Sequence, residues 1–260
     1  MELARVVRYC LIGLACLPWA ETANAQLRNP EGVPILVLSG GQRQHHGYRE
    51  QASYLSKTLE DTGRYRVTIV EDAGVLESEG LGKYRAIILL ADRRDPEFKL
   101  TEKQQRLLCE FVASRKNGGF VTIHGGDNAA ADWLPEMRAM FGGVFSHDTR
   151  GGRPDGKTRK GDYRVKVAGS SHPICAGITD FDLRDELYYH VQFEKPVEPL
   201  LTIAHEGTDW PVAWTNEYGD GRVFHTVLGH RDFGADKHDP VRDPNVTRLL
   251  VQGLDWVVSR

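Results

Sequence analysis

The sequence predicts one α/β domain built on a mainly parallel sheet, with a β-rich addition in its second half. Two observations carry this. Unbroken apolar runs of strand length alternate with amphipathic helical stretches up to residue 123, in the order strand, helix, strand, strand, helix, strand. Beyond residue 160 strand patterns recur at close spacing, with no repeat and no interdomain linker.

The elements follow from local pattern. Pro34 to Leu38 is apolar throughout, as in a strand covered on both faces, and it runs into Ser39-Gly40-Gly41. A helix over about 48–62 carries Ala52, Leu55 and Leu59 on one stripe, and Gly63 stops it. Tyr65 to Val70 and Ala86 to Leu90 are the second and third strands. Thr101-Glu102-Lys103-Gln104 is a capping box that opens a helix to about residue 116. Gly118-Gly119 ends it, and Phe120 to Ile123 is the fourth strand. Trp133 to Phe141 reads as a short helix and the polar stretch 148–161 as a loop. Strands are expected at 163–168, 186–194, 200–204, 211–215 and 222–228, with Tyr218 to Gly221 as a hairpin turn. Asp243-Pro244 starts the last helix as N-cap and first-turn proline.

The 260 residues are 40% hydrophobic and 27% charged, with a net charge of −3. That is a folded composition without the electrostatic footprint of a nucleic-acid binder. Residues 1–25 read as an export signal. Arg5 and Arg8 form the positive region, Tyr9 to Ala20 the apolar core, and Ala23-Asn24-Ala25 the cleavage signature. The apolar core is too short for a bilayer of about 30 Å. Lipoprotein cleavage before Cys16 is a second option, with Gly13-Leu14-Ala15 a poor fit. The expectation is a periplasmic or secreted domain, 26–260, with no transmembrane segment. Cys109 and Cys175 lie in it; an oxidising compartment would let them pair, and a buried free thiol is equally consistent for Cys109.

Open parallel sheets bind ligands beyond the carboxyl ends of their strands. His45 and His46 follow the first strand, Asp92, Arg93 and Arg94 the third, His124-Gly125-Gly126-Asp127 the fourth, and Gly229-His230-Arg231-Asp232 the last. Three strand ends thus deliver histidine to one sheet edge. Neutral imidazole is a common ligand for zinc and other transition metals. His46, His124 and His230 are therefore candidate metal ligands, and a divalent metal is the candidate cofactor. The same histidines could instead be hydrogen-bonding or general-base groups. In the second cluster, Asp185 to His190, strand geometry puts Glu186, Tyr188, His190, Gln192 and Glu194 on one face. That face is either a solvated edge or a cleft wall.

Candidate catalytic residues are His124, Glu186 and Tyr188; candidate substrate contacts are His147, Asp185, His190 and Arg231. His172 before Pro173 reads as a turn residue, and His205, His225 and His238 as bystanders. Trp133, Trp210, Trp214 and Tyr188 could stack on sugars, and the tryptophans could equally pack in the core.

At these residues the sequence resembles the ThuA-like, trehalose-utilisation family. The matching pieces are Ile35 to Leu38 with His46, Val121 to Gly125, Gly142 to His147, His172 to Ile174, Asp185 to Tyr188, Pro211 to Trp214, and Gly219 to Phe224 ending at His230. The resemblance implies a flavodoxin-like sheet of the class I glutamine amidotransferase type, with helices on both faces, and a role in carbohydrate metabolism. It separates the chain from true amidotransferases, whose nucleophilic Cys sits where this sequence has His124. The expected function is an enzyme acting on a sugar or oxidised (keto) glycoside, a hydrolase or lyase. A non-catalytic saccharide binder is the alternative. No nucleotide cofactor is expected; the partner is a small carbohydrate, and self-association is open.

Overall fold

The computed structural model describes residues 31–41, 46–114, 118–129, 132–231 and 238–259. The expected leader, His45 and Asp232 lie outside the described residues. A nine-stranded sheet organises the chain, in the order β2-β1-β3-β4-β11-β10-β9-β6-β7. The strands are β1 (Val33–Gly41), β2 (Tyr65–Val70), β3 (Ala86–Asp92), β4 (Gly119–Ile123), β5 (Gly143–Val144), β6 (Lys157–Val167), β7 (Phe181–Tyr189), β8 (Gln192–Phe193), β9 (Pro199–His205), β10 (Thr208–Tyr218) and β11 (Gly221–Thr226). The pairings β2-β1-β3-β4-β11 are parallel. Those from β11 through β10, β9 and β6 to β7 are antiparallel. The parallel half has the flavodoxin-like strand order, with its switch point between β1 and β3. β5 and β8 form a separate small ribbon.

Alternation along β1 explains the layering. Ile35 and Val37 join one core, with Leu55 and Leu59 of α1 (Tyr48–Asp61) and Leu249 and Leu254 of α4 (Pro244–Val258). Leu36 and Leu38 join the other, with Leu108 and Val112 of α2 (Glu102–Ala113) and Met137 and Phe141 of α3 (Pro135–Phe141). Helices therefore cover both faces, and all of β3 and β4 is buried. The capping box at Thr101 and Gln104 forms as the spacing predicts. Asp243 caps α4 through the N–H groups of Asn245 and Val246.

The largest departures from the expected boundaries are at β6 and β7. The stretch 148–161 is not loop throughout, because β6 begins at Lys157. Its first residues are exposed, so no apolar alternation marks them, and pairing with β7 alone makes them a strand. The strand expected at 186–194 starts earlier and stops at Tyr189, because His190 adopts φ 57° and turns the chain. The shared face is thus interrupted after Tyr188. No helix among the described residues is long and apolar enough to cross a membrane.

Candidate functional site

The carboxyl ends of β1, β4 and β11 meet at one sheet edge. Here His46, His124 and His230, all buried, place ligand nitrogens within 4.8 Å of one another. His46 follows β1 and stands just before α1, whose N-cap is Gly47. His124 leaves β4 with φ 46°, a left-handed conformation that costs a non-glycine residue about 1–2 kcal/mol. His230 follows β11 in a segment pinned by a buried carboxylate. Asp185 accepts from the backbone N–H groups of Gly229 (2.8 Å), His230 (2.9 Å) and Glu186 (2.7 Å). Both Asp185 oxygens are thereby occupied, and the residue joins β7 to the exit of β11.

The hydrogen bonds define the donor set. His124 Nδ1 lies 2.8 Å from the Val227 carbonyl, which only accepts, so Nδ1 carries the proton and Nε2 offers a lone pair. That Nε2 faces His230 Nδ1 at 2.9 Å. Glu186 Oε2 lies 3.1 Å from His230 Nδ1 and 3.7 Å from His124 Nε2. Burial, reinforced by the neighbouring His230 and His46, holds His124 well below the usual imidazole range, so the ring is neutral. Burial alone would raise Glu186, but its hydrogen bond and charge interaction with His230, with Lys160 and His46 behind, hold it below its usual value. Burial pushes the Asp185 carboxyl up to about 7 against its three N–H donors.

Tyr188 packs on His124, ring centroids 4.3 Å apart, and on Phe145 at 4.4 Å. Burial, then Glu186, keeps its phenol protonated far into alkali. Arg231 flanks the cluster through an ion pair with Glu50 at 3.4 Å, and its carbonyl accepts from Gly47 N–H. Two candidate contacts stand apart from the triad. The His147 side chain is 61% exposed and pairs with Asp155. His190 stacks on Trp210, centroids 4.8 Å apart, beyond the break in β7. His172 caps a short turn by accepting from Ile174 N–H, as expected of a residue before proline. Trp133 and Trp214 are buried, and Trp214 stacks on His225.

Residues given no site role from the sequence also line this edge. Tyr48 tilts against His46, centroids 4.9 Å apart. Asp92 at the end of β3 accepts from Arg94 and from Asn128 Nδ2 at 2.8 Å. Asp127 and His225 form a fully buried pair at 3.1 Å beneath the 124–127 turn. Tyr48 was masked by its place on the apolar stripe of α1. The signal that finds it is its position two residues after His46, where the helix starts at the sheet edge.

These residues fit a divalent transition metal. Two nitrogens on one ion at about 2.1 Å sit about 3.4 Å apart in a tetrahedral site; the triad nitrogens bracket that spacing. Neutral His124 with its second nitrogen tied to a carbonyl is the arrangement a ligating imidazole needs.

Comparison with known proteins agrees with this architecture. A family model for trehalose utilisation, ThuA, matches residues 34–257, and the chain belongs to that family. A solved ThuA-like protein from Parabacteroides merdae is 21% identical, covers 88% of this chain and 91% of its own, and has a TM-score of 0.69. One from Bacteroides uniformis is 20% identical, with 87% and 91% covered and a TM-score of 0.63. A cytoplasmic protein from Salmonella typhimurium is 16% identical, with 86% and 98% covered and a TM-score of 0.57. At these identities the likeness is one of fold. No curated protein matches the sequence.

Proposed function

We propose that this ThuA-family chain is an exported enzyme acting on a sugar or an oxidised (keto) glycoside, with a divalent transition metal as its cofactor. The observation that carries the reading is the convergence of His46, His124 and His230 within 4.8 Å, with Glu186 beside two of them. His46, His124 and His230 would hold the ion, and when bound it would supply Lewis-acid polarisation of a substrate oxygen.

The chain's own groups supply the rest. Glu186 is anionic and 15% exposed, so it can reach a substrate and take or return a proton at its Oε2. Tyr188 is a neutral phenol that donates to a sugar hydroxyl. Asp185 holds Gly229 and His230 in place through their N–H groups and so acts as a positioning residue. His124 keeps one tautomer through Val227. Glutamine hydrolysis through a thiolate does not fit, because the position after β4 is His124, and Cys109 and Cys175 are buried. A binding-only reading leans on aromatic platforms, and of the three tryptophans considered only Trp210 keeps a partly open face.

The test is metal analysis of untagged protein purified without chelators, followed by product analysis across a panel of glycosides and their keto derivatives. The expected result is about one zinc, manganese or iron per chain and turnover lost in His124→Ala. Metal-free protein with no gain on adding these ions overturns the metal part. Unchanged turnover in His124→Ala overturns the catalytic part.

A further inference from the structure

Tyr48, the first residue of α1, is 3% exposed and lies against the triad through His46. Its hydroxyl stands over Gly125, the residue after His124. A β-carbon built on Gly125 would fall 2.4 Å from Tyr48 Oη, with Asn128 Nδ2 at 3.5 Å and Asp92 Cβ at 3.6 Å. Only glycine leaves room for the phenol there. Among the described residues Tyr48 Oη has no hydrogen-bond partner, and neither does Asn128 Oδ1 close by. A phenol donor is thus buried against His46, with no acceptor of its own among the described residues, and an unmade hydrogen bond of this kind costs stability unless something else accepts it.

We infer that Tyr48 contacts the ligand, its hydroxyl donating a hydrogen bond to an oxygen of the sugar held at the His46–His124–His230 triad. This deepens the proposed function and rests on it. The group it recognises is an oxygen acceptor, either a carbonyl or a sugar hydroxyl.

The experiment uses the full chain loaded with cobalt(II) and titrated with acetohydroxamate, an oxygen-donor ligand for the ion, followed by the visible spectrum. Tyr48→Phe is expected to take up cobalt as the wild type does and to bind acetohydroxamate at least tenfold more weakly. Gly125→Ala displaces the same hydroxyl and should show the same loss. Tyr54→Phe, also on α1, removes a hydroxyl bonded to Thr247 Oγ1 at 3.1 Å and should leave acetohydroxamate affinity unchanged. Equal affinity in wild type and Tyr48→Phe overturns the inference while the triad reading stands. Failure of the wild type to take up cobalt overturns both. A second readout needs no metal: Tyr48→Phe should melt no lower than the wild type. A fall in Tm as large as that of Tyr54→Phe would reveal a protein acceptor and overturn the inference.

Discussion

Cys109 sits on the buried face of α2, 5% exposed, and burial pushes its thiol up to about 11 from an ordinary 9.0. At pH 8 a thiol of that pKa is about 0.1% thiolate, against roughly 10% for an unperturbed one. Alkylation by iodoacetamide should therefore be about 100-fold slower than for free cysteine on ionisation alone, and slower again because the sulfur is covered. The same shift links stability to pH. Because the folded chain holds this proton more tightly than the unfolded chain, the contribution is full below pH 9. It is lost as pH rises from 9 to about 11, amounting to about 2–3 kcal/mol at 1.36 kcal/mol per unit. The assay is peptide mass spectrometry of iodoacetamide adducts at pH 8, native and in urea. It is paired with urea unfolding of wild type and Cys109→Ala between pH 8 and 11. The wild type should lose stability relative to the variant across that window. Native alkylation at the rate of free cysteine, or parallel pH curves for the two proteins, would refute the burial argument. It would also reopen the question of a thiolate nucleophile.

Three further outcomes are expected. Asp185→Ala should weaken cobalt(II) binding by about 10–100-fold in a competition titration, because His230 loses the acceptor that holds its backbone; unchanged affinity would show that the segment holds itself. Thr101→Ala removes one half of the α2 capping box and should cost about 1 kcal/mol in urea unfolding at constant m; a change below 0.3 kcal/mol, on the order of the measurement error, would count against the cap. If the leader is cleaved after Ala25, protein recovered from outside the cytoplasm should begin at Gln26 by intact mass. An N-terminus at Met1 would remove the export reading.

The first half of the fold was legible because its determinants are local. The apolar runs at 35–38, 86–90 and 120–123 and the caps at Thr101 and Asp243 act within a few residues. The same parallel order let three of the ten histidines be placed at one sheet edge, since residues just past parallel strands exit on the same side. Where the determinants are pairings across long separations, the sequence was silent. Lys157 to Gly161 are polar on both faces and become strand only by pairing with β7. Tyr48 fits the core stripe of α1 equally well as a filler or as a donor, and the glycine at 125 decides where its hydroxyl stands.

Local pattern thus set the α/β class, the strands of the parallel half and the candidate histidines, because periodicity and capping are properties of short segments. The tertiary structure alone decided that Glu186 faces His124 and His230, that Asp185 holds the backbone of Gly229 and His230, and that His147 stays in solvent. Those relations link residues 44 to 62 apart in the chain, and only the closed sheet brings such distant side chains within reach of one another.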